Sequence, residues 1–385
     1  MRRRGKERVG QRCCVRRYGT IYHYSKCADL TKRQINCTSH LNFAISQALE
    51  SYPSYAPTGS ITSNAIYVSS LSSSPSLPLE TLATELLPDL ATQIQQFIAL
   101  PPSSIKPTET LFVVSFGFWD IYNFAGFDYP IAQHATDTSV NELFNQLNIL
   151  YAHYSQNLSA AHTVAESTGA PTNITEVDVE ERSRTTSSFR VVIPKLFEPT
   201  LVPGWLSQRP VPLAPSSIAE NQKNAVYLAS RWNTLLENKI GGWLKEAILA
   251  PDDIANTTTE ELASLPFVER DIFYYDLPKY LLDIIVEHQL EDEGLSDASG
   301  LGKGESPFES VYEPCIIEAE DAEPGGVDLS GQMVCKEPEE YLFWDSFNLG
   351  SVAKQGIGKE VGDMVKQGKT MKHIWAQKEG HAGGL

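Results

Sequence analysis

The stretch EEYLFWDSFNLGSVAKQGIG, residues 339–358, places a carboxylate, Asp345, directly after an aromatic run. Asn348 follows three residues later. An Asp and a His at that spacing would form a proton-handling pair, the carboxylate orienting the imidazole that deprotonates a nucleophile. A carboxamide can position a hydroxyl by hydrogen bonding, but it takes no proton near neutral pH. A second stretch with chemical potential is SFGFWDIY (115–122), where Gly117, Trp119 and Asp120 close an apolar run. Gly117 lets the backbone turn sharply and approach a ligand. LNFAIS (41–46) and PTGSITSNAIY (57–67, with Gly59) add small residues and open backbone N–H groups.

No other histidine offers itself as a base. His40 neighbours the small-residue stretch, and His134 lies within reach of the Gly117 turn. His153 and His288 fall in expected helices, His162 in an expected loop, and His373 and His381 in the Gly/Lys-rich tail. None has an Asp or Ser at a telling spacing. No His/carboxylate cluster has metal-ligand spacing, and Cys13, Cys14, Cys27 and Cys37 lack the paired spacing of a zinc site. No metal and no cofactor are expected.

The elements that must position these residues alternate. LETLATELLPDLATQIQQFIAL (79–100) has a helical apolar face interrupted by Pro88. TLFVVSFG (110–117) is the continuous apolar run of a strand covered on both sides. Ser139 and Glu142 have capping-box spacing ahead of a helix, and Ser217 with Glu220 repeats it ahead of a long helix to about residue 247. SFRVVIPKL (188–196) and RDIFYYD (270–276) read as strands, and LPKYLLDIIVEHQL as a helix. YLFWD and a helix over about 350–366 end the chain, with polar loops expected over 160–187 and 291–333. Strand–helix alternation predicts a parallel sheet covered on both faces, with sites at the carboxyl ends of its strands.

At 385 residues, one large α/β domain over residues 27–367 is the simplest organisation, with a flexible tail over 368–385. The net charge of −17 argues against nucleic acid and anionic membrane surfaces as partners. The charge is unevenly spread. Residues 1–26 carry nine Arg/Lys against one acid, which leaves −25 for the remainder. This basic segment has no apolar run long enough for a secretory signal. It reads as a polyanion-binding tail, an organelle presequence or, given the abrupt change of composition near residue 27, a first exon foreign to the fold. No membrane span is expected. Sequons at Asn36, Asn157, Asn173 and Asn256 suggest glycosylation. Cys315 and Cys335 flank an acidic loop as a loop-closing disulfide would. These marks suit a secreted protein whose signal peptide precedes the sequence given.

Over roughly residues 36–367 the chain resembles the SGNH or GDSL-type esterases and lipases, particularly the fungal secreted kind. YLFWDSFNLG is similar to that family's last block, an Asp and a His three residues apart. SFGFWD is similar to its Gly-x-Asn-Asp block, and NFA (42–44) with GSITSN (59–64) to the block whose Gly supplies an oxyanion N–H. The resemblance implies a three-layer, flavodoxin-like α/β/α sandwich and hydrolysis of carboxylic esters, such as acetyl groups on polysaccharides or lipid acyl chains. It implies a Ser nucleophile, a His base and an Asp that orients it.

Three places depart from that pattern. No Gly-Asp-Ser occurs, and Ser25 in HYSKC is the only serine in the expected region. The first strand is therefore expected to be missing, with the chain poorly soluble as a consequence. Trp119 stands where the oxyanion Asn belongs, and Asn348 where the His belongs. The expectation is an inactive relative of ester hydrolases, or a non-catalytic binder of a carbohydrate or acyl ligand, a small molecule or a polysaccharide. In a binder, Phe118, Trp119, Tyr122 and Trp205 would supply the stacking surface.

Overall fold

The structure, a computed structural model, describes residues 21–26, 37–42, 60–73, 86–99, 109–167, 188–212, 216–245, 268–294, 307–318 and 332–372. Its centre is a five-stranded sheet: β1 (Ile21–Lys26), β2 (Cys37–Asn42), β3 (Glu109–Val114), β4 (Ser188–Pro194) and β5 (Glu269–Tyr275), in spatial order β2-β1-β3-β4-β5. The fold is mixed α/β. β3, β4 and β5 are parallel, with Leu111 opposite Arg190 and Val191 opposite Ile272. β1 runs antiparallel to both β2 and β3.

The all-parallel expectation is thus corrected at one edge. Only residues 27–36 join β1 to β2. That is too short for the crossover a parallel pair needs, so the chain turns back. Composition sets residues 1–26 outside the fold, and the absent Gly-Asp-Ser block leaves the first strand missing, but Ile21–Lys26 pairs beside β3. Its IYHYS sequence is rich in β-branched and aromatic residues, a strand signal that the surrounding arginines obscure.

Eight helices are described: α1 (Asn64–Ser72), α2 (Leu90–Ile98), α3 (Phe118–Phe124), α4 (Tyr129–Ser167), α5 (Gly204–Gln208), α6 (Ile218–Lys245), α7 (Leu277–Asp292) and α8 (Ser351–Lys366). α2 begins after Pro88, where the Asp89 side chain accepts the Thr92 N–H as an N-cap. The capping box at α6 is formed in both directions: Ser217 N–H donates to Glu220 at 2.7 Å, and Glu220 N–H to the Ser217 hydroxyl at 3.2 Å. The box expected at Ser139 does not start a helix. α4 runs through it from Tyr129, and Ser139 is buried at its middle. α4 also continues to Ser167, taking His162 out of the loop expected from residue 160. The polar stretch 291–333 carries strands β6 (Ser310–Pro314), β7 (Ile316–Glu318) and β8 (Gln332–Val334), β6 pairing with β9 (Tyr341–Phe343) and β7 with β8.

Strand alternation sorts the packing. Phe189, Val191 and Ile193 of β4 and Ile272 and Tyr274 of β5 face one apolar cluster, shared with α2, α4 and α6. The intervening residues face the other way. There Tyr275 donates to Glu360 of α8 at 2.9 Å, and Arg190 to the Val365 carbonyl at 3.3 Å. A second cluster, holding Tyr122, Trp205, Leu281, Leu342 and Phe343, lies among α3, α5, α7 and β9. Cys315 and Cys335 are joined by a disulfide, Cα–Cα 4.9 Å, that braces β7 and β8.

Candidate functional site

Two turns meet at the carboxyl ends of β3 and β4. The first, 115–119, leaves β3 and enters α3 through Gly117, whose φ is +110°. Glycine is needed there twice over. The dihedral disfavours any side chain, and a Cβ would stand 2.5 Å from Cε2 of Trp232. The second turn, 194–197, leaves β4 and is pinned by Asn233 of α6, which accepts from the Leu196 N–H at 2.8 Å and donates to its carbonyl at 2.7 Å. With Ser60 and Leu277 these turns line a pocket of about 50 Å³. Its polar edges come from Ser60, Ser115 and Lys195. Lys195 is held by Asp276, N to O 2.9 Å, and lies 5.4 Å from the centre of the Tyr274 ring.

Asp120, one residue beyond the Gly117–Trp119 wall, is fully buried. Its two carboxylate oxygens accept the Thr62 N–H at 3.1 and 3.0 Å, and one of them accepts the Thr62 hydroxyl at 3.0 Å. Ser139 on α4 lies near the same carboxylate, but its buried hydroxyl makes no hydrogen bond. Burial pushes the Asp120 pKa up to about 6, and the Thr62 amide and hydroxyl hold it from rising further. Asp120 therefore ties the segment that carries Ser60 to the segment that carries Trp119.

An aromatic cluster lies behind the pocket, and Phe118, Trp119 and Phe197 of that cluster line it. Tyr122 and Trp205 are buried in the second core cluster and offer no stacking surface, which corrects that expectation for these two residues. The Trp119 and Phe347 ring centres are 5.0 Å apart, Phe118 and Phe197 5.1 Å, and Tyr122 and Trp205 5.8 Å. The Tyr122 hydroxyl donates to the Gln208 carbonyl, and burial pushes its pKa up to about 12.

The Asp345–Asn348 loop reaches this cluster through Phe347. Gly204 N–H donates to the Ser346 carbonyl at 2.7 Å, and a Cβ on Gly204 would strike the Phe347 ring at 2.6 Å. Asp345 and Asn348 face each other, but within their own loop. Oδ1 of Asp345 accepts the Phe347 N–H at 2.9 Å, the Asn348 N–H at 2.7 Å and the Asn348 side-chain amide at 2.9 Å. Oδ2 accepts that same amide at 2.7 Å. The Asn348 carbonyl takes the Trp344 N–H at 2.6 Å. This is the geometry of a carboxylate closing a turn. Neither residue lines the pocket.

Of the residues singled out from the sequence, Gly117 and Trp119 line the pocket, Asp120 braces it, and Asp345 and Asn348 sit behind Phe347. Gly59 and the sequon residues Asn36, Asn173 and Asn256 lie outside the described residues, and Asn157 falls in α4. His134 is exposed on α4, His153 packs on Phe97, and His288 contacts the Glu309 carbonyl; none lines the pocket. Among the described residues no group of three or more His, Cys, Asp and Glu could hold a metal ion. No described helix is long and apolar enough to cross a membrane. Sequence reasoning marked the stretches that carry Ser60, Thr62 and Ser115 without singling out those side chains, and it missed Lys195. Lys195 was open to discovery, since it follows a strand's carboxyl end, where α/β sites gather.

The site is a small concave pocket of an α/β protein, walled by aromatics and hydroxyls. No family model matches the chain, and no curated protein matches it.

Proposed function

We propose that the chain is a non-catalytic ligand-binding relative of the SGNH ester hydrolases, on a three-layer α/β/α scaffold. Helices α2, α4 and α6 on one sheet face and α8 on the other support that architecture. The ligand is a carbohydrate or small ester that offers a compact acyl group to the pocket and a ring face to the Trp119 wall. The pocket, about 50 Å³, is small and suits a compact acyl group rather than a long chain.

The observation that carries the non-catalytic reading is the closure of the Asp345 loop. The carboxylate that would orient a base accepts backbone and side-chain N–H groups of its own turn, and its partner is an amide. General-base assistance of about 10²–10⁴ in rate is not on offer from that pair. The disulfide suits an oxidising compartment, and we place the protein outside the cytosol.

The test uses glyceryl triacetate and N-acetylglucosamine as probes in saturation-transfer NMR, beside p-nitrophenyl acetate hydrolysis. Binding of either probe that weakens in Trp119→Ala, with hydrolysis at background, is the expected result. Hydrolysis above background that disappears in Ser60→Ala or Ser115→Ala would replace binding with catalysis. Absence of binding by both probes at tens of millimolar would overturn the ligand assignment.

A further inference from the structure

Two of the pocket's walls come from parts of the chain far apart in sequence, and one side chain joins them. Ser60 belongs to the segment that leads into α1, and residues 115–119 belong to the β3–α3 turn. Fifty-eight positions separate Thr62 from Asp120, and their contact involves both carboxylate oxygens, the amide and the hydroxyl. We infer that Asp120 is a positioning residue whose protonation state sets how firmly the Ser60 wall is held against the Gly117–Trp119 wall, making ligand capture respond to pH. The inference rests on the pocket being the ligand site.

The groups that face Asp120 are few. The segment before α1 contributes the Thr62 amide and hydroxyl, α3 contributes its own backbone amide, and α4 places Ser139 nearby with its hydroxyl making no hydrogen bond. None of these is charged or titrates in the ordinary range, and no charged side chain contributes to its pKa shift. Its ionisation is therefore its own, centred at about 6. Hydrogen bonds to an ionised acceptor are about twice as strong as those to a neutral one. Above the midpoint both oxygens accept from Thr62. Below it one oxygen carries a proton and competes as a donor against the Thr62 N–H, so the clamp loosens.

Substitution separates clamping from titration. In Asp120→Asn, Oδ1 can accept the Thr62 N–H while the amide donates to the Thr62 hydroxyl, which serves as either partner. The clamp is kept and the titration is lost. Asp120→Ala removes both, and Thr62→Val removes the hydroxyl half alone.

The experiment is ¹⁹F NMR of the full chain with its six tryptophans replaced by 5-fluorotryptophan, titrated from pH 4.5 to 8. Trp119→Phe assigns the relevant signal. The expected result is a Trp119 signal that moves with a midpoint near 6 and stays still in Asp120→Asn, with Thr62→Val displaced from wild type at pH 7.5. An unmoving wild-type signal overturns the inference, as does a movement that survives in Asp120→Asn. Should Asp120→Ala not fold by circular dichroism, Asp120→Asn and Thr62→Val still decide. Glyceryl triacetate affinity is then compared at pH 5 and 7, with at least threefold tighter binding expected at pH 7. A titrating Trp119 signal without triacetate binding at any pH sinks the ligand reading and leaves the clamp standing. Binding that is equal at both pH values overturns the link to capture.

Discussion

Gly117→Ala is the most exposing single change. The substitution puts a side chain on a residue with φ of +110°, outside the regions open to alanine, which costs about 1–3 kcal/mol. The new Cβ would also lie 2.5 and 2.6 Å from Cε2 and Cζ2 of Trp232. That ring is fully buried and cannot swing into solvent. Overpacking of this kind costs about 1–3 kcal/mol more. The expected total is about 2–6 kcal/mol, a large part of the 5–15 kcal/mol typical of a whole domain. Urea unfolding monitored by circular dichroism reads it, with a fall in Tm on the order of 10 °C in a thermal scan. Trp232→Leu in the same chain separates the two terms. It clears the steric clash but not the dihedral, so the double variant should be less destabilised than the sum of the singles by about 1–3 kcal/mol. A Gly117→Ala cost below about 0.5 kcal/mol, or strict additivity with Trp232→Leu, would show that the floor of the pocket is not built as described.

Four further outcomes are expected. Asp120 has its folded pKa raised from 3.8 to about 6, so the proton it binds stabilises the fold fully below about pH 4, and that contribution is lost as pH rises through 6. At about 1.36 kcal/mol per unit the loss is about 3 kcal/mol, visible as a difference in urea stability between wild type and Asp120→Asn across pH 4–7. Asp345→Ala frees the Phe347 and Asn348 amides and should cost about 1–3 kcal/mol, with increased amide hydrogen exchange over 344–348. Reduction of Cys315–Cys335, separated by 20 residues, should lower stability by about 3 kcal/mol relative to the oxidised chain, measured by urea unfolding with and without reductant. Asn348→His should leave p-nitrophenyl acetate hydrolysis at background, because a His there meets Asp345 while residue 348 is no part of the wall that carries Ser60 and Ser115; a burst of p-nitrophenol would refute this.

What could be read from the sequence follows burial. β3, β4 and β5 announce themselves because their runs are apolar on both faces, and Ser217–Glu220 announces α6 because both partners of its cap are local. Ser139–Glu142 has the same letters and a different use. Its serine is buried at the middle of a helix already under way, where it caps nothing. β1 was hidden by its basic neighbours, and β6, β7 and β8 by the acidic, glycine-containing stretch around them. Their pairing is fixed by β9 and a disulfide rather than by their own propensity. At the site, Gly117 and Trp119 were legible as the end of an apolar run. The partnership of Ser60 with them was not, because it depends on a 58-residue contact between Thr62 and Asp120.

That contact also bears on why an ionisable group sits there at all. An Asn at 120 could still bond the Thr62 amide and hydroxyl, the hydroxyl now accepting instead of donating, without the penalty of burying a charge. The Asp raises the cost of the fold at neutral pH while strengthening the bonds to Thr62, so stability and clamp strength move in opposite directions as pH rises through 6. A purely structural brace would gain nothing from this arrangement. A brace whose stiffness reports pH would gain a pocket that closes on ligand at neutral pH and loosens in acid. The two opposed profiles, folding stability falling and Trp119 order rising over the same interval, therefore distinguish a regulated pocket wall from a buried carboxylate of merely structural use.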